Sequence, residues 1–192
     1  MKGRRLRLFI ALPLPQEMRE KVASLQDIWK KKAQGVRWVR PEGLHVTLKF
    51  LGHVPEGEIQ GIKEVMERIS LGFPPFWVRI RGAGGFPSPQ RARVLWIGVE
   101  DPDGRLKGVF KALERGLERL GFPREDRPFR PHLTLGRVKE GRRFEFLKDY
   151  RDLEVGVLEV REMVLFKSEL KPEGAEYESL YSVPFGGSHG CR

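Results

Sequence analysis

Two copies of one short pattern, His45-Val46-Thr47-Leu48 and His132-Leu133-Thr134-Leu135, stand 87 residues apart (132 − 45) in a chain of 192 residues. The chain has only two threonines, and each follows one of its four histidines by two positions. Chance produces that double coincidence roughly once in several thousand arrangements. The same offset aligns the surroundings. Leu8-Phe9-Ile10-Ala11-Leu12 lies over Leu95-Trp96-Ile97-Gly98-Val99. Phe9 and Trp96 each precede their histidine by 36 residues (45 − 9 and 132 − 96). A repeat of this kind restricts the fold to one that uses the same supersecondary unit twice.

Each unit reads strand, helix, strand, with the His-x-Thr segment as the closing strand. Met18, Val22, Leu25 and Trp29 recur at helical spacing between Pro15 and Lys32. Leu106, Val109, Phe110, Leu113, Leu117 and Leu120 do so between Gly104 and Leu120, with Asp103-Gly104 as a start and Gly121 as a stop. Polar breaks at Gly52–Gly57 and Lys139–Arg142 are expected to end the two His-x-Thr strands. A helix over Glu58–Ile69 follows the first, and a shorter one around Phe144–Tyr150 follows the second. Further strands are predicted over Phe76–Gly82, Leu158–Ser168 and Glu176–Val183. The expected architecture is α+β: one domain over residues 1–185, built of two pseudo-twofold-related lobes. Their antiparallel sheets line a central groove and their helices lie outside. Residues 186–192 read as a frayed tail. Two independent ferredoxin-like domains are the alternative that the same element order allows.

Strand alternation assigns the faces. His45, Thr47 and Lys49 share one side of their strand, and Val46, Leu48 and Phe50 the other. His132, Thr134 and Gly136 share a side in the second copy, with Arg130 before the strand and Arg137 at its end. A twofold brings His45 and His132 into opposition. Two imidazoles, two hydroxyls and nearby guanidinium groups suit a phosphate. The fitting reaction is cleavage of a phosphodiester. One neutral imidazole takes a proton from water, and the other, protonated, gives one to the departing alkoxide. Threonine hydroxyls can donate to phosphate oxygens. The near-symmetry of the motifs leaves open which histidine plays which part. His53 is expected in a solvated loop, His189 in the tail, and Lys49 as an ordinary charged residue.

Other chemistries find little support. The single cysteine, Cys191, excludes a disulfide framework. The histidines show no His-x-His or His-x-x-x-His spacing, and no carboxylate lies in either motif, so no metal site is expected. No Gly-x-x-x-x-Gly-Lys-Ser/Thr loop is present, which removes the usual signature of ATP-driven ligation, and no cofactor is expected. No apolar run reaches a membrane-spanning length. The opening basic segment and Leu8–Leu12 read as a strand rather than a signal peptide, which predicts a cytoplasmic protein. The net charge of +10 favours a polyanionic partner. The absence of asparagine and the excess of arginine over lysine lean toward a thermophile.

With these residues laid out, the chain resembles the two-histidine phosphoesterase superfamily, and within it the RNA 2′,3′-cyclic phosphodiesterases, also called 2′–5′ RNA ligases. The resemblance runs through Arg7–Ala11, Trp38–Gly52, Phe86-Pro87 with Arg93–Trp96, Phe129–Arg137, and Leu165–Ser168 with Tyr177. It implies metal-independent and ATP-independent hydrolysis of RNA 2′,3′-cyclic phosphate ends to 2′-phosphates. His45 is then the proton donor and His132 the proton acceptor. Thr47, Thr134 and Arg137 bind the phosphate, and Arg130, placed just before the second strand, is a further phosphate-binding candidate on position alone. It also implies a reverse reaction that joins RNA ends, such as tRNA fragments, through a 2′–5′ bond. A monomer is expected. The alternatives are a cyclic phosphodiesterase for small nucleotides and a non-catalytic RNA-binding module.

Overall fold

The computed structural model describes residues 3–186. Nine strands form one antiparallel sheet: β1 (Arg5–Pro13), β2 (Arg37–Trp38), β3 (His45–Pro55), β4 (Phe76–Phe86), β5 (Ala92–Glu100), β6 (His132–Arg142), β7 (Glu154–Val160), β8 (Glu162–Lys171) and β9 (Gly174–Pro184). Their order is β7-β4-β5-β6-β3-β1-β8-β9, with the short β2 attached to β6. The helices are α1 (Gln16–Lys30), α2 (Ile59–Leu71) and α3 (Arg105–Glu118).

The repeat is visible in the order. Reading outward from the centre, β3 mirrors β6, β1 mirrors β5, and β8 mirrors β4. The repeats exchange parts across that centre. The strand that follows the first unit, β4, pairs with β5 of the second, and β8 after the second unit pairs with β1 of the first. The crossover helices are exchanged too. Helix α1 lies under the β4–β7 half, where Trp29 is buried and packs edge-on against Phe146 and Tyr150. Helix α3 lies under β3, with α2 beside it.

Helix α1 buries the stripe its periodicity predicts, and α3 most of its own: Phe110 is only half-buried, and Leu120 lies exposed beyond the end of the helix. In α1 the buried residues are Met18, Val22, Leu25 and Trp29, together with Gln26. The Gln26 amide donates to the carbonyls of Val39 and Leu135, at 2.8 and 3.0 Å, so its burial leaves no orphaned donor. In α3 the buried apolar residues are Leu106, Val109, Leu113 and Leu117. The central strand β1 is buried on both faces from Leu8 to Leu12. That explains its unbroken apolar run and the absence of strict alternation there.

Four sequence expectations are corrected. The His-x-Thr strands run on through both polar breaks, to Pro55 and to Arg142. Their far ends continue as pairs of β1 and β5, which supply the missing main-chain partners. His53 is therefore exposed on a strand, not in a loop. The segment Leu158–Ser168 is two strands, parted at Arg161, and they sit in opposite halves of the sheet, β7 at one edge and β8 between β1 and β9. Lys49 does not share a face with His45 and Thr47. A bulge follows Thr47, because Ala11 pairs with Thr47 while the adjacent Ile10 pairs with Lys49, skipping Leu48. Both Leu48 and Lys49 are consequently buried. Of the tail, Gly186 is held in a turn, its N–H donating to the Ser70 carbonyl. Residues 187–192, with His189 and Cys191, lie outside the described residues.

Candidate active site

The two half-sheets meet at one register pair, Val46 opposite Leu133. Both side chains are fully buried. Their neighbours along the strand therefore point the other way, into the groove. Because the pairing is antiparallel, His45 is set on the Thr134 side of the bridge and Thr47 on the His132 side. The four residues of the duplicated motif thus surround a single point. Thr47 is exposed there, and both histidines and Thr134 are half-buried.

Both rings are oriented alike. His45 Nδ1–H donates to the Gly43 carbonyl at 2.7 Å, and His132 Nδ1–H donates to the Arg130 carbonyl at 2.6 Å. This contact fixes the tautomer and leaves each Nε2 free for chemistry. His45 Nε2 also lies 3.0 Å from the Thr47 hydroxyl, which donates to it when the ring is neutral. Aromatic rings hold the imidazoles in place. His45 packs on Phe9 at 4.7 Å and meets Tyr177 edge-on at 5.2 Å. His132 meets Phe86 edge-on at 4.9 Å.

That enclosure sets the protonation. Burial, repulsion from His132 and repulsion from Arg137 push His45 down to about 4, against the favourable Gly43 carbonyl. His132 is also lowered, by burial first and then by Arg137, against the Arg130 carbonyl. Both shifts favour the neutral ring in the free protein. An anion between them opposes each of these effects and favours an imidazolium.

Arg137 reaches the groove through the second copy of the bulge. Trp96 pairs with Thr134 and the adjacent Leu95 with Gly136, skipping Leu135. The face inverts at that point, so Arg137 emerges on the histidine side, where simple alternation places Gly136. Gly136 is required there for another reason. A Cβ on it would stand 2.5 Å from Val36 Cγ1 and 3.1 Å from Trp38, as β2 crosses close above. Arg137 lines a cleft of about 650 Å³ together with Arg7, Arg37, Arg40, Trp38 and Tyr177. Arg130 contributes its main-chain carbonyl to His132; its exposed guanidinium has no hydrogen-bond or ion-pair partner among the described residues. Lys49, by contrast, belongs to the support. Its ammonium is 2.7 Å from Glu114 on α3 and 2.7 Å from the Pro123 carbonyl. Sequence reasoning gave no role to Phe9, Phe86, Phe166 or Tyr177 as the walls of the site. Their spacing carries no signal, because they come from four different strands.

Among the described residues, no three His, Cys, Asp or Glu side chains are grouped to hold a metal ion. None of the described helices is long and apolar enough to cross a membrane.

The family model described as LigT like Phosphoesterase matches twice, over residues 12–96 and 97–177. The chain is 40% identical to the RNA 2′,3′-cyclic phosphodiesterase of Methanothermobacter thermautotrophicus over 184 residues, covering 92% of this chain and 97% of that protein. It is 37% identical to the protein of the same name from Methanocaldococcus jannaschii, covering 91% and 98%. Among solved structures, TT0787 of Thermus thermophilus superposes with a TM-score of 0.82 at 32% identity, over 96% of this chain and 100% of that one. Escherichia coli LigT, crystallised with 3′-AMP, gives a TM-score of 0.75 at 27% identity, over 94% and 98%. The two matched segments each contain one His-x-Thr strand, and together they span most of the sheet; the chain belongs to the LigT-like family of two-histidine phosphoesterases.

Proposed function

We propose that this protein hydrolyses 2′,3′-cyclic phosphate ends of RNA to 2′-phosphates by paired-histidine acid and base catalysis, without a metal ion. The observation that carries the reading is the convergence of two imidazoles, each anchored through Nδ1, two threonine hydroxyls and Arg137 around the Val46–Leu133 bridge. The names of the relatives at 37–40% identity supply the substrate class.

The cyclic phosphate sits between the rings, its charge answering Arg137. His132 Nε2 accepts a proton from water as the water oxygen bonds to phosphorus. The bond from phosphorus to O3′ breaks, and His45 Nε2–H gives its proton to that oxygen. Thr47 and Thr134 donate to the non-bridging oxygens, where charge develops. The products are a 2′-phosphate and a 3′-hydroxyl, and the two histidines have exchanged protonation states. Run backwards with an RNA 5′-hydroxyl in place of water, the same site forms a 2′–5′ bond, with tRNA fragments as candidate substrates. The net charge of +10 supports RNA as the substrate, and the same proposal takes the protein to act as a cytoplasmic monomer.

The test is a short RNA ending in a 2′,3′-cyclic phosphate, incubated with the protein in EDTA, with 2′- and 3′-phosphate ends resolved. Conversion to 2′-phosphate alone is expected. Formation of 3′-phosphate would reverse the leaving group, and a requirement for added metal would overturn the mechanism. Binding without turnover would turn the reading to an RNA-binding module.

A further inference from the structure

Resting on the reading of the substrate as RNA, we infer that a second cleft, built by Arg91, Arg93 and Arg127 beyond Phe86, holds backbone phosphates of the RNA chain behind its reacting end. The cleft encloses about 460 Å³ and begins at Phe86 and Val94. Phe86 is the ring that meets His132 edge-on, and its other contact is Trp96, at 5.0 Å. Val94 is the register partner of Arg137. The cleft therefore opens one side chain away from the catalytic groove.

Three separate segments bring the arginines together. Arg91 closes the short helical turn over Pro89–Arg91, Arg93 is on β5, and Arg127 is in the loop that leads to His132. All three are exposed, and none has an ion-pair partner among the described residues. This separates them from Arg79 and Arg81 on the same half-sheet, which are neutralised by Glu100 and Glu154. No carboxylate lines the cleft. The floor is stiff: a Cβ on Gly141 of β6 would stand 2.8 Å from the Arg91 carbonyl oxygen, so the turn is seated directly on the strand.

The repeat sharpens the assignment. Val94 and Phe86 correspond, at the offset of 87 residues, to Arg7 and Glu173. Those two residues line the larger cleft on the other side, where Glu42, Glu173 and Glu176 mix with Arg7, Arg40 and Arg137. A mixed-sign cleft suits the hydrogen-bonding groups of one nucleoside. An all-positive cleft with an aromatic ring at its mouth suits a run of phosphates, the arrangement that binds single strands without reading sequence.

The experiment compares the parent protein with Arg91→Ala/Arg93→Ala/Arg127→Ala, and with Arg68→Ala/Arg105→Ala/Arg115→Ala on α2 and α3 as a charge-matched control. Two quantities are measured: binding of a ten-nucleotide RNA carrying a cyclic or 2′-phosphate end across a salt series, and turnover of a nucleoside 2′,3′-cyclic monophosphate. The cleft variant is expected to bind the oligonucleotide ten-fold or more weakly. Its salt slope should fall by about 2, which is three phosphate contacts on a single strand. Mononucleotide turnover should stay at the parent level. Equal weakening by the control, or unchanged oligonucleotide binding, overturns the proposal. The binding arm needs no turnover. A parent that binds RNA through this cleft but hydrolyses neither substrate would therefore sink the catalytic reading and leave the cleft standing.

Discussion

Val46 on β3 stands opposite Leu133 on β6, and this pair is the only register bridge between the two half-sheets among the described residues. Everything the motif does depends on it. The two side chains point into the core, so the flanking histidines and threonines must point into the groove. A change of packing at this pair alters the spacing between the two imidazoles before it alters anything else.

Removing either histidine should eliminate the general acid or the general base. Substituting His45→Ala or His132→Ala is expected to lower kcat on a cyclic phosphate by about 10²–10⁴-fold. The double variant should lose little more than the worse single one, since the two act as a unit. Both rings are half-buried at the edge of the groove, so the loss in melting temperature should be small beside the loss in rate. Rate measurements beside a melting curve decide this; a fully active His132→Ala would refute the paired mechanism.

The protonation of the site predicts its pH dependence. Both histidines titrate below their ordinary value in the free protein. The bell in kcat/KM, which reports the free enzyme, should therefore peak below pH 6.5. In kcat it should move to higher pH, because bound phosphate stabilises the imidazolium. Stability follows the same linkage. The unfolded chain binds a proton at His45 near pH 6.5 and the folded chain only near 4, so stability is full above pH 6.5 and declines as pH falls toward 4. Denaturant titrations on His45→Gln should lack that part of the decline.

Arg137 repels a proton from both rings. In Arg137→Gln both histidine values should rise, and the kcat/KM bell should shift to higher pH while KM increases. Proton NMR of the two imidazoles measures this directly. Unmoved titrations would show that the guanidinium points away from the groove in solution.

The Lys49–Glu114 pair is buried on both sides, with side chains 3% and 8% exposed. Glu114 also accepts the Glu125 N–H at 2.8 Å, so the pair holds the loop that leads to His132. Lys49→Met alone should cost about 3–5 kcal/mol, because it strands a buried carboxylate. Lys49→Met with Glu114→Leu should recover most of that. Equal losses in the single and double variants would mean that the charges contribute nothing beyond shape.

Gly136→Val should cost about 1–3 kcal/mol through overpacking against Val36 and Trp38. It should also reduce activity, since Arg137 is the next residue. An active variant of parental stability would show that β2 moves aside freely.

Much of this was legible in the chain. Helices α1 and α3 follow from apolar periodicity, and the pairing of the histidines follows from the repeat. The faces of Lys49 and Arg137 were hidden by one cause, the bulge after each threonine. Alternation alone puts Lys49 in the groove and Arg137 out of it, and one extra residue at Leu48 and Leu135 reverses both. Nothing in the local sequence marks that residue, because a leucine is at home in either geometry. The exchange of strands and helices escaped for a different reason. A repeat shows that two units are alike, but it does not say which half of the molecule each one completes.

That exchange has a bearing on the order in which the protein comes into being. β1, near the start of the chain, is flanked by β3 and by β8, and the Arg7–Ser168 contact closes a span of 161 residues. Neither repeat carries its own finished half. A chain still being synthesised cannot set its first His-x-Thr strand against the second until β6 has been made. Contacts this distant in sequence predict slow folding, and the groove between the histidines is complete only once β6 has joined β3.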